Sequence, residues 1–294
     1  MSAKNYRKEL IGLFGNPVDE NPTVVIMEAA FSALGLNCAY QNLRIDPEDL
    51  EDAVNGLRAF HMLGTHVTVP YKLAIIPYLD ELTETAQLIG AVNTVYVRNG
   101  RLIGENTDGK GFLASMQEGK IVLPGKHVVI LGAGGAARAI AVELALAGVS
   151  SITIVNRSVS SGEALCALLR EKTEVQADFT AWSGTYVVPQ RCDILINATS
   201  IGLYPDTACP DIDYGSLSPD LMVCDVIPNP LRTALIDRAQ AQGCRVFDGF
   251  SMLVNQGAVS FSLWTGKEAP TAVMKEALRR EYEKEPSSDY EDLI

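Results

Sequence analysis

The stretch His127-Val-Val-Ile-Leu-Gly-Ala-Gly-Gly-Ala-Ala-Arg-Ala-Ile-Ala constrains the fold more than any other. An apolar run of strand length enters Gly132, Gly134 and Gly135, and an alanine-rich helical pattern leaves them. Glycines at such a turn let the backbone approach a pyrophosphate, and the helix start supplies unpaired N–H groups and a positive dipole end. The small residues Ala136, Ala137 and Ala139 suit close packing of that helix on a sheet. A glycine pattern by itself would also suit a purely structural turn. Here the strand, the turn, the helix and a second strand at Ile152–Val155 come in the order of a dinucleotide-binding unit. Gly132, Ala133, Gly134, Gly135 and Ala136 are its expected cofactor loop.

The second strand ends at Asn156-Arg157-Ser158, with Asn156 lying 24 positions beyond Gly132. An acidic residue there would bind the ribose of NAD; this chain offers an amide, a guanidinium and a hydroxyl instead. Arg157 suits a 2′-phosphate, with no neighbouring carboxylate to oppose it, so NADP is favoured and NAD remains possible. The other reading of Arg157 is a solvated surface arginine.

Short Val- and Ile-rich runs alternate with helix-length segments throughout. Leu10–Phe14, Cys38–Ile45 and Thr65–Val69 read as strands, with helices at about 24–35 and 48–60. Thr94–Val97 and Arg101–Gly104 flank Asn99-Gly100, a hairpin signal because that pair supports positive φ. A second series runs through His127–Leu131, Ile152–Val155, Asp193–Ile196, Val223–Val226 and Arg245–Phe247, followed by helices near 251–264 and 270–284. Such alternation predicts two α/β domains with mostly parallel sheets, the second of Rossmann type, with Met116–Lys126 as the linker.

The net charge of −12 excludes most nucleic-acid binders, which need clustered Lys and Arg. Five of those charges come from Glu281, Glu283, Glu285, Asp289, Glu291 and Asp292 against Lys284. No run approaches the roughly 18 apolar residues of a membrane span, and the first residues lack the apolar core of a secretory signal. The six cysteines are scattered, with no Cys-x-x-Cys pair and no clustered histidine. They read as buried thiols of a reduced, cytoplasmic protein without a metal site.

The chain resembles the shikimate dehydrogenase family, including its quinate/shikimate members. The resemblance rests on Gly15-Asn16-Pro17, Val67-Thr68-Val69-Pro70-Tyr71-Lys72, Gly90-Ala91-Val92-Asn93-Thr94 and Asn106-Thr107-Asp108-Gly109. It continues through the glycine loop, Asn156-Arg157, Asn197-Ala198-Thr199, Asn229-Pro230, Asp248-Gly249-Phe250-Ser251-Met252-Leu253, Gln256 and Leu263-Trp264-Thr265-Gly266. It implies a substrate domain over 1–118, a dinucleotide domain over 119–250, helices over 251–285 returning to the substrate domain, and an acidic tail over 286–294. It also implies NADP-dependent interconversion of 3-dehydroshikimate and shikimate, in the pathway to chorismate and the aromatic amino acids. The expected partner is a small cyclic hydroxy acid, with the protein a monomer or homodimer.

Hydride transfer to or from a secondary alcohol needs a group that moves the hydroxyl proton. The resemblance implies Lys72 as that relay, with Asp108 across the substrate, binding a hydroxyl and orienting the ammonium. Outside the family context Lys72 reads as a surface lysine and Asp108 as a helix N-cap. Asn93, Thr68 and Gln256 would hydrogen-bond the other hydroxyls, and Gly249 and Met252 would lie near the nicotinamide. Thr199 and Ser200 follow a strand's carboxyl end, where open α/β sheets bind ligands. Alternatives are a quinate or other cyclic-polyol dehydrogenase using NAD or NADP, and a non-catalytic nucleotide or small-acid sensor. Retention of Lys72 and Asp108 disfavours the sensor.

Four departures from the family pattern stand out. Its carboxylate-binding segment usually reads Ser-x-Ser-Pro; Asn21 and Thr23 occupy the serine positions here, directly after Asp19 and Glu20. Asn21 and Thr23 can still hold a carboxylate; Asp19 and Glu20 either turn to solvent or set negative charge beside that pocket, against an anionic ring acid. His66 replaces the usual Asn, as an added site donor or as a packed strand histidine. Pro228 stands where a tyrosine is common, and Ser161 where NADP-preferring members often carry a second basic residue.

Overall fold

The computed structural model describes residues 6–283; the expected acidic tail at 286–294 lies outside them. In chain order the elements begin β1 (Glu9–Gly15), α1 (Thr23–Ala33), β2 (Cys38–Arg44), α2 (Leu50–Ala59), β3 (Gly64–Val67) and α3 (Tyr71–Ala74). Then come β4 (Glu81–Leu82), α4 (Glu84–Ile89), β5 (Thr94–Arg98), β6 (Arg101–Glu105) and α5 (Asp108–Glu118). The chain continues with β7 (His127–Leu131), α6 (Gly135–Leu146), β8 (Ser151–Asn156), α7 (Val159–Lys172), β9 (Gln176–Ala181) and β10 (Ile194–Asn197). It closes with β11 (Met222–Asp225), α8 (Ala234–Ala241), β12 (Arg245–Phe247), α9 (Gly249–Thr265) and α10 (Thr271–Glu283).

Two compact units divide these elements. The first runs to Thr83, takes up Ala91–Glu105 and resumes at Gly257; the second holds Glu84–Gly90 and Asn106–Gln256. This differs from the boundaries expected at 118 and 250. Helix α5 belongs with the second unit because it packs on α6, where Lys110 reaches Glu143 at 2.9 Å. The expected linker at Met116–Lys126 begins inside α5, which ends at Glu118 with Gly119 as its cap.

The sheet of the first unit has the order β2-β1-β3-β5-β6-β4. Strands β1, β2 and β3 are parallel, while β5 runs antiparallel to β3 and β6 antiparallel to β5. Asn99 and Gly100 turn the β5–β6 hairpin with φ of 54° and 75°, the backbone that Asn-Gly favours. Helices α1 and α10 pack together, and Phe31 stacks on Phe261 at 5.7 Å.

The second sheet is wholly parallel, in the order β12-β11-β10-β7-β8-β9. Central strand β7 is buried from Val128 to Leu131, as a strand covered on both faces must be. The chain moves outward through β8 and β9 on one side of β7, then restarts at β10 on the other. The reversal opens a crevice beyond the carboxyl ends of β7 and β10, where such sheets bind ligands. The first unit has the same device between β1 and β3.

Candidate active site

In the second unit the glycine loop occupies the β7/β10 crevice. Gly132 has φ 106°, and a side chain there would meet the Ala198 carbonyl oxygen at 2.9 Å and the Thr199 methyl at 3.1 Å. Only glycine suits this combination of backbone and crowding. Gly134 and Gly135 face open space. Helix α6 starts there without a side-chain cap or an acidic residue in its first turn. Its first N–H groups are thus left for an anion, as a pyrophosphate site needs. Ala133 and Ala136 are half-buried beside them.

At the end of β8, the Asn156 side chain donates to the Ser158 carbonyl at 3.0 Å, and Ser158 accepts from Ser161 N–H as the cap of α7. The hydroxyls of Ser160 and Ser161 both lie 3.1 Å from that of Ser158. Arg157 is exposed and ion-paired with none of the described residues. An exposed guanidinium next in the chain to these serine hydroxyls suits a 2′-phosphate. The residues present therefore suit NADP: a positive-φ glycine, an open helix start and a phosphate-competent strand end.

Thr199 frames the loop through a network that sequence reasoning missed. Its hydroxyl donates to Asn197 Oδ1 at 2.7 Å and accepts from Ile201 N–H at 3.1 Å. Asn197 Nδ2 donates to Asp225 Oδ1 at 3.0 Å, and the Thr233 hydroxyl donates to Asp225 Oδ2 at 2.7 Å. Asp225 is 2% exposed. Burial pushes its carboxyl up to about 6 although Thr233, Ile227 N–H and Asn197 all donate to it. Pairs 28 residues apart leave no local pattern, and the Asn197-Ala198-Thr199 motif was the only signal. Gly249 opens α9 tight against the backbone of Val226 and Ile227, and Met252 is half-buried one turn on.

Asp108 is the first residue of α5, half-buried, its N–H donated to Asn106 Oδ1 at 3.1 Å. Asn106 and Thr107 are buried behind it. Gln256 is 7% exposed; its Nε2 donates to the Leu253 carbonyl at 3.0 Å and its Oε1 faces the Thr107 hydroxyl at 3.4 Å. Asp108 and Gln256 thus share the Asn106–Thr107 turn, and both lie in the second unit.

The first unit holds the other candidates at its β1/β3 crevice. Asn16 N–H donates to Val69 O at 3.0 Å and Thr68 N–H to Phe14 O at 2.9 Å, tying the two strand ends together. Tyr71 N–H then donates to Thr68 O at 2.9 Å, starting the short turn α3 that carries half-buried Lys72. The Lys72 carbonyl accepts Val92 N–H at 2.8 Å, which anchors it beside Asn93. Because β5 is antiparallel to β3, Asn93 at its start lies at the same sheet edge as Thr68. Asn93 is 3% exposed, its Oδ1 accepting from the Thr94 hydroxyl at 3.2 Å. Thr23 is buried at the head of α1, and Asn21 Oδ1 accepts its N–H at 3.0 Å. Asp19 and Glu20 are exposed.

His66 is a packed strand histidine. It is 3% exposed, edge-on to Trp264 at 4.7 Å, with Nδ1 2.6 Å from the Tyr40 hydroxyl. Burial holds the Tyr40 hydroxyl well above its ordinary range, so it stays protonated beside the imidazole. Among the described residues no group of three His, Cys, Asp or Glu side chains is placed to hold a metal, and no helix is long and apolar enough to cross a membrane. Burial raises the Cys166 thiol to about 11 and the Cys192 thiol to about 12, far from reactive thiolates.

The sequence matches three family models in succession. Residues 13–95 match the shikimate dehydrogenase substrate binding domain, residues 113–204 the shikimate/quinate 5-dehydrogenase model, and residues 249–279 the shikimate 5′-dehydrogenase C-terminal domain. The shikimate dehydrogenase (NADP(+)) of Desulforamulus reducens is 40% identical over 285 residues, covering 95% of this chain and 98% of its own. The chain belongs to the shikimate dehydrogenase family. Among solved relatives, a shikimate dehydrogenase in complex with NADP+ is 40% identical, with a TM-score of 0.88 over 96% of this chain and 99% of its own. The ligand-free 5-ketofructose reductase of Gluconobacter sp. strain CHM43 is 48% identical, with a TM-score of 0.91 over 94% of this chain and 99% of its own. Family membership agrees with the resemblance drawn from the motifs, and the two-unit α/β fold is that of the family's oxidoreductases.

Proposed function

We propose that this protein is an NADP-dependent oxidoreductase that interconverts a ketone and a secondary alcohol on a small polyhydroxylated compound. The relatives' names make 3-dehydroshikimate and shikimate the first pair to consider. The carrying observation is the β7/β10 crevice, where Gly132 at φ 106° and the open start of α6 are built for a pyrophosphate. NADPH, when bound, supplies the hydride. Gly132, Ala133, Gly134, Gly135 and Ala136 hold its pyrophosphate, and Asn156, Arg157 and Ser158 hold the 2′-phosphate end. Thr199, Gly249 and Met252 shape the remainder.

Lys72 gives its Nζ proton to the carbonyl oxygen as that oxygen becomes an alkoxide, and takes it back in the reverse direction. Asp108 accepts a substrate hydroxyl. Thr68, Asn93 and Gln256 bind further hydroxyls, and Asn21 and Thr23 line the far end. A ring of directional groups of this kind rejects analogues that leave it unpaired. The test is a turnover panel crossing shikimate, quinate and 5-ketofructose with NAD(H) and NADP(H) in the appropriate direction. Turnover with at least one substrate, faster with the phosphorylated cofactor, is expected. Absence of turnover throughout, with NADPH still bound, would leave the nucleotide-dependent sensor as the reading.

A further inference from the structure

We infer that Asp225 is a positioning residue for the nicotinamide half of the cofactor, acting through Asn197 on Thr199 and through Ile227 on Gly249. The inference rests on the oxidoreductase reading above and extends it to a carboxylate that is 2% exposed. The strand order β12-β11-β10-β7-β8-β9 is two mononucleotide-binding halves that meet between β10 and β7. The half built on β7 and β8 carries the glycine loop and Arg157, and so takes the 2′-phosphate end. The other mononucleotide, which bears the nicotinamide, falls to the half built on β10 and β11. Asp225 ends β11 and is the register partner of Asn197, which ends β10.

Asn197 is the link to Thr199. Its amide group donates to Asp225 Oδ1 at 3.0 Å and to the Ile201 carbonyl at 3.2 Å. Those two acceptors fix the amide's orientation, because a flipped amide would set its oxygen against both. Asn197 Oδ1 is thereby turned to Thr199, accepting its N–H at 3.2 Å and its hydroxyl at 2.7 Å. Thr199 borders the phosphate loop, its methyl 3.1 Å from where a Gly132 side chain would begin. Asp225 Oδ1 also accepts Ile227 N–H at 3.1 Å, which holds the turn after β11. The Gly249 backbone lies tight against Val226 and Ile227 in that turn. Asp225 Oδ2 takes the Thr233 hydroxyl at 2.7 Å. A carboxylate buried this deeply is costly even when hydrogen-bonded, and an apolar residue would fill β11 at less cost. What the carboxylate adds is one rigid acceptor shared by Thr199, through Asn197, and by the seat of Gly249.

The experiment titrates the full chain with NADPH and, separately, with adenosine 2′,5′-bisphosphate, which carries the adenine half alone. NADPH is followed by its fluorescence and the bisphosphate by calorimetry. Asp225→Ala should raise the Kd for NADPH on the order of 10-fold and leave that for the bisphosphate within about twofold. A role confined to stability would move both ligands alike. Asp225→Asn should stay near wild type for both, because its Oδ1 still accepts from Asn197 and Ile227 while its Nδ2 donates to the Thr233 oxygen. Asn197→Ala leaves Asp225 its Ile227 and Thr233 donors and should show the same selective loss; it carries the test if Asp225→Ala does not fold. Loss of both ligands alike, or of neither, in the alanine variants overturns the inference, as does an Asp225→Asn chain as weak as Asp225→Ala. Those outcomes leave the oxidoreductase reading intact. Failure of the wild-type chain to bind NADPH overturns that reading itself.

Discussion

Lys72 sits on a turn of four residues pinned by backbone bonds on both sides, through Thr68 before it and Val92 after it. That fixed backbone is what the proposed role of Lys72 as proton relay requires. Lys72→Ala is expected to lower kcat by about 10²-fold or more while the dissociation constant for NADPH stays near wild type, as measured by turnover and direct titration. Arg157 belongs to the other unit and is proposed to bind the cofactor. Arg157→Ala should raise the KM for NADP and spare that for NAD, a loss of roughly 1.5–3 kcal/mol for a charge-assisted pair. Steady-state kinetics with both cofactors decide it, and equal effects would make Arg157 structural. Both residues were legible from motifs. The side-chain packing of His66 was not, because its environment comes from Tyr40 and Trp264, distant in the chain.

Among the elements, β11 carries an unusual load through Asp225. This carboxylate joins β10, the turn after β11 and the cap of α8 by accepting from Asn197, Ile227 and Thr233. Its pKa near 6 in the folded chain lies above the ordinary carboxylate value of about 3.9. The folded state therefore binds this proton more tightly than the unfolded state. The resulting stability is fully present below about pH 4 and is lost as pH rises through about 6. Asp225→Asn should remove that component, on the order of 1–3 kcal/mol between pH 4 and 7, seen as a flatter difference in urea midpoints across the window. The β5–β6 hairpin and the β7–α6 turn were readable because Asn-Gly and the glycine run set local backbone. Strand β9 was not: Gln-Ala-Asp-Phe-Thr-Ala at the sheet edge alternates polar and apolar residues but lacks the Val and Ile that mark the other strands of this sheet. The allegiance of α5 was hidden too, since a helix's apolar stripe does not name the surface that covers it.

At the level of the whole molecule, cofactor choice should be visible without turnover. A ligand that binds only the folded chain stabilises it by about 2.7 kcal/mol at a hundredfold excess over its dissociation constant. NADP should therefore raise the Tm of this chain by several degrees and NAD by less at equal concentration, as followed by calorimetry. In Arg157→Ala the two cofactors should give nearly equal shifts.

The route of the chain through its two units bears on how the protein is made. The first unit opens with the first strand and closes only after Gly257, while all but seven residues of the second lie in the single stretch Asn106–Gln256. Helix α9 belongs to one unit before that boundary and to the other after it. During synthesis from the amino end, the parallel sheet of the second unit has all its strands once Phe247 has emerged. The first unit, although begun earlier, must wait for Phe261 and α10 to cover α1. Birth order and completion order are thus reversed, and for most of translation the older unit carries an apolar face that chaperones would have to shield.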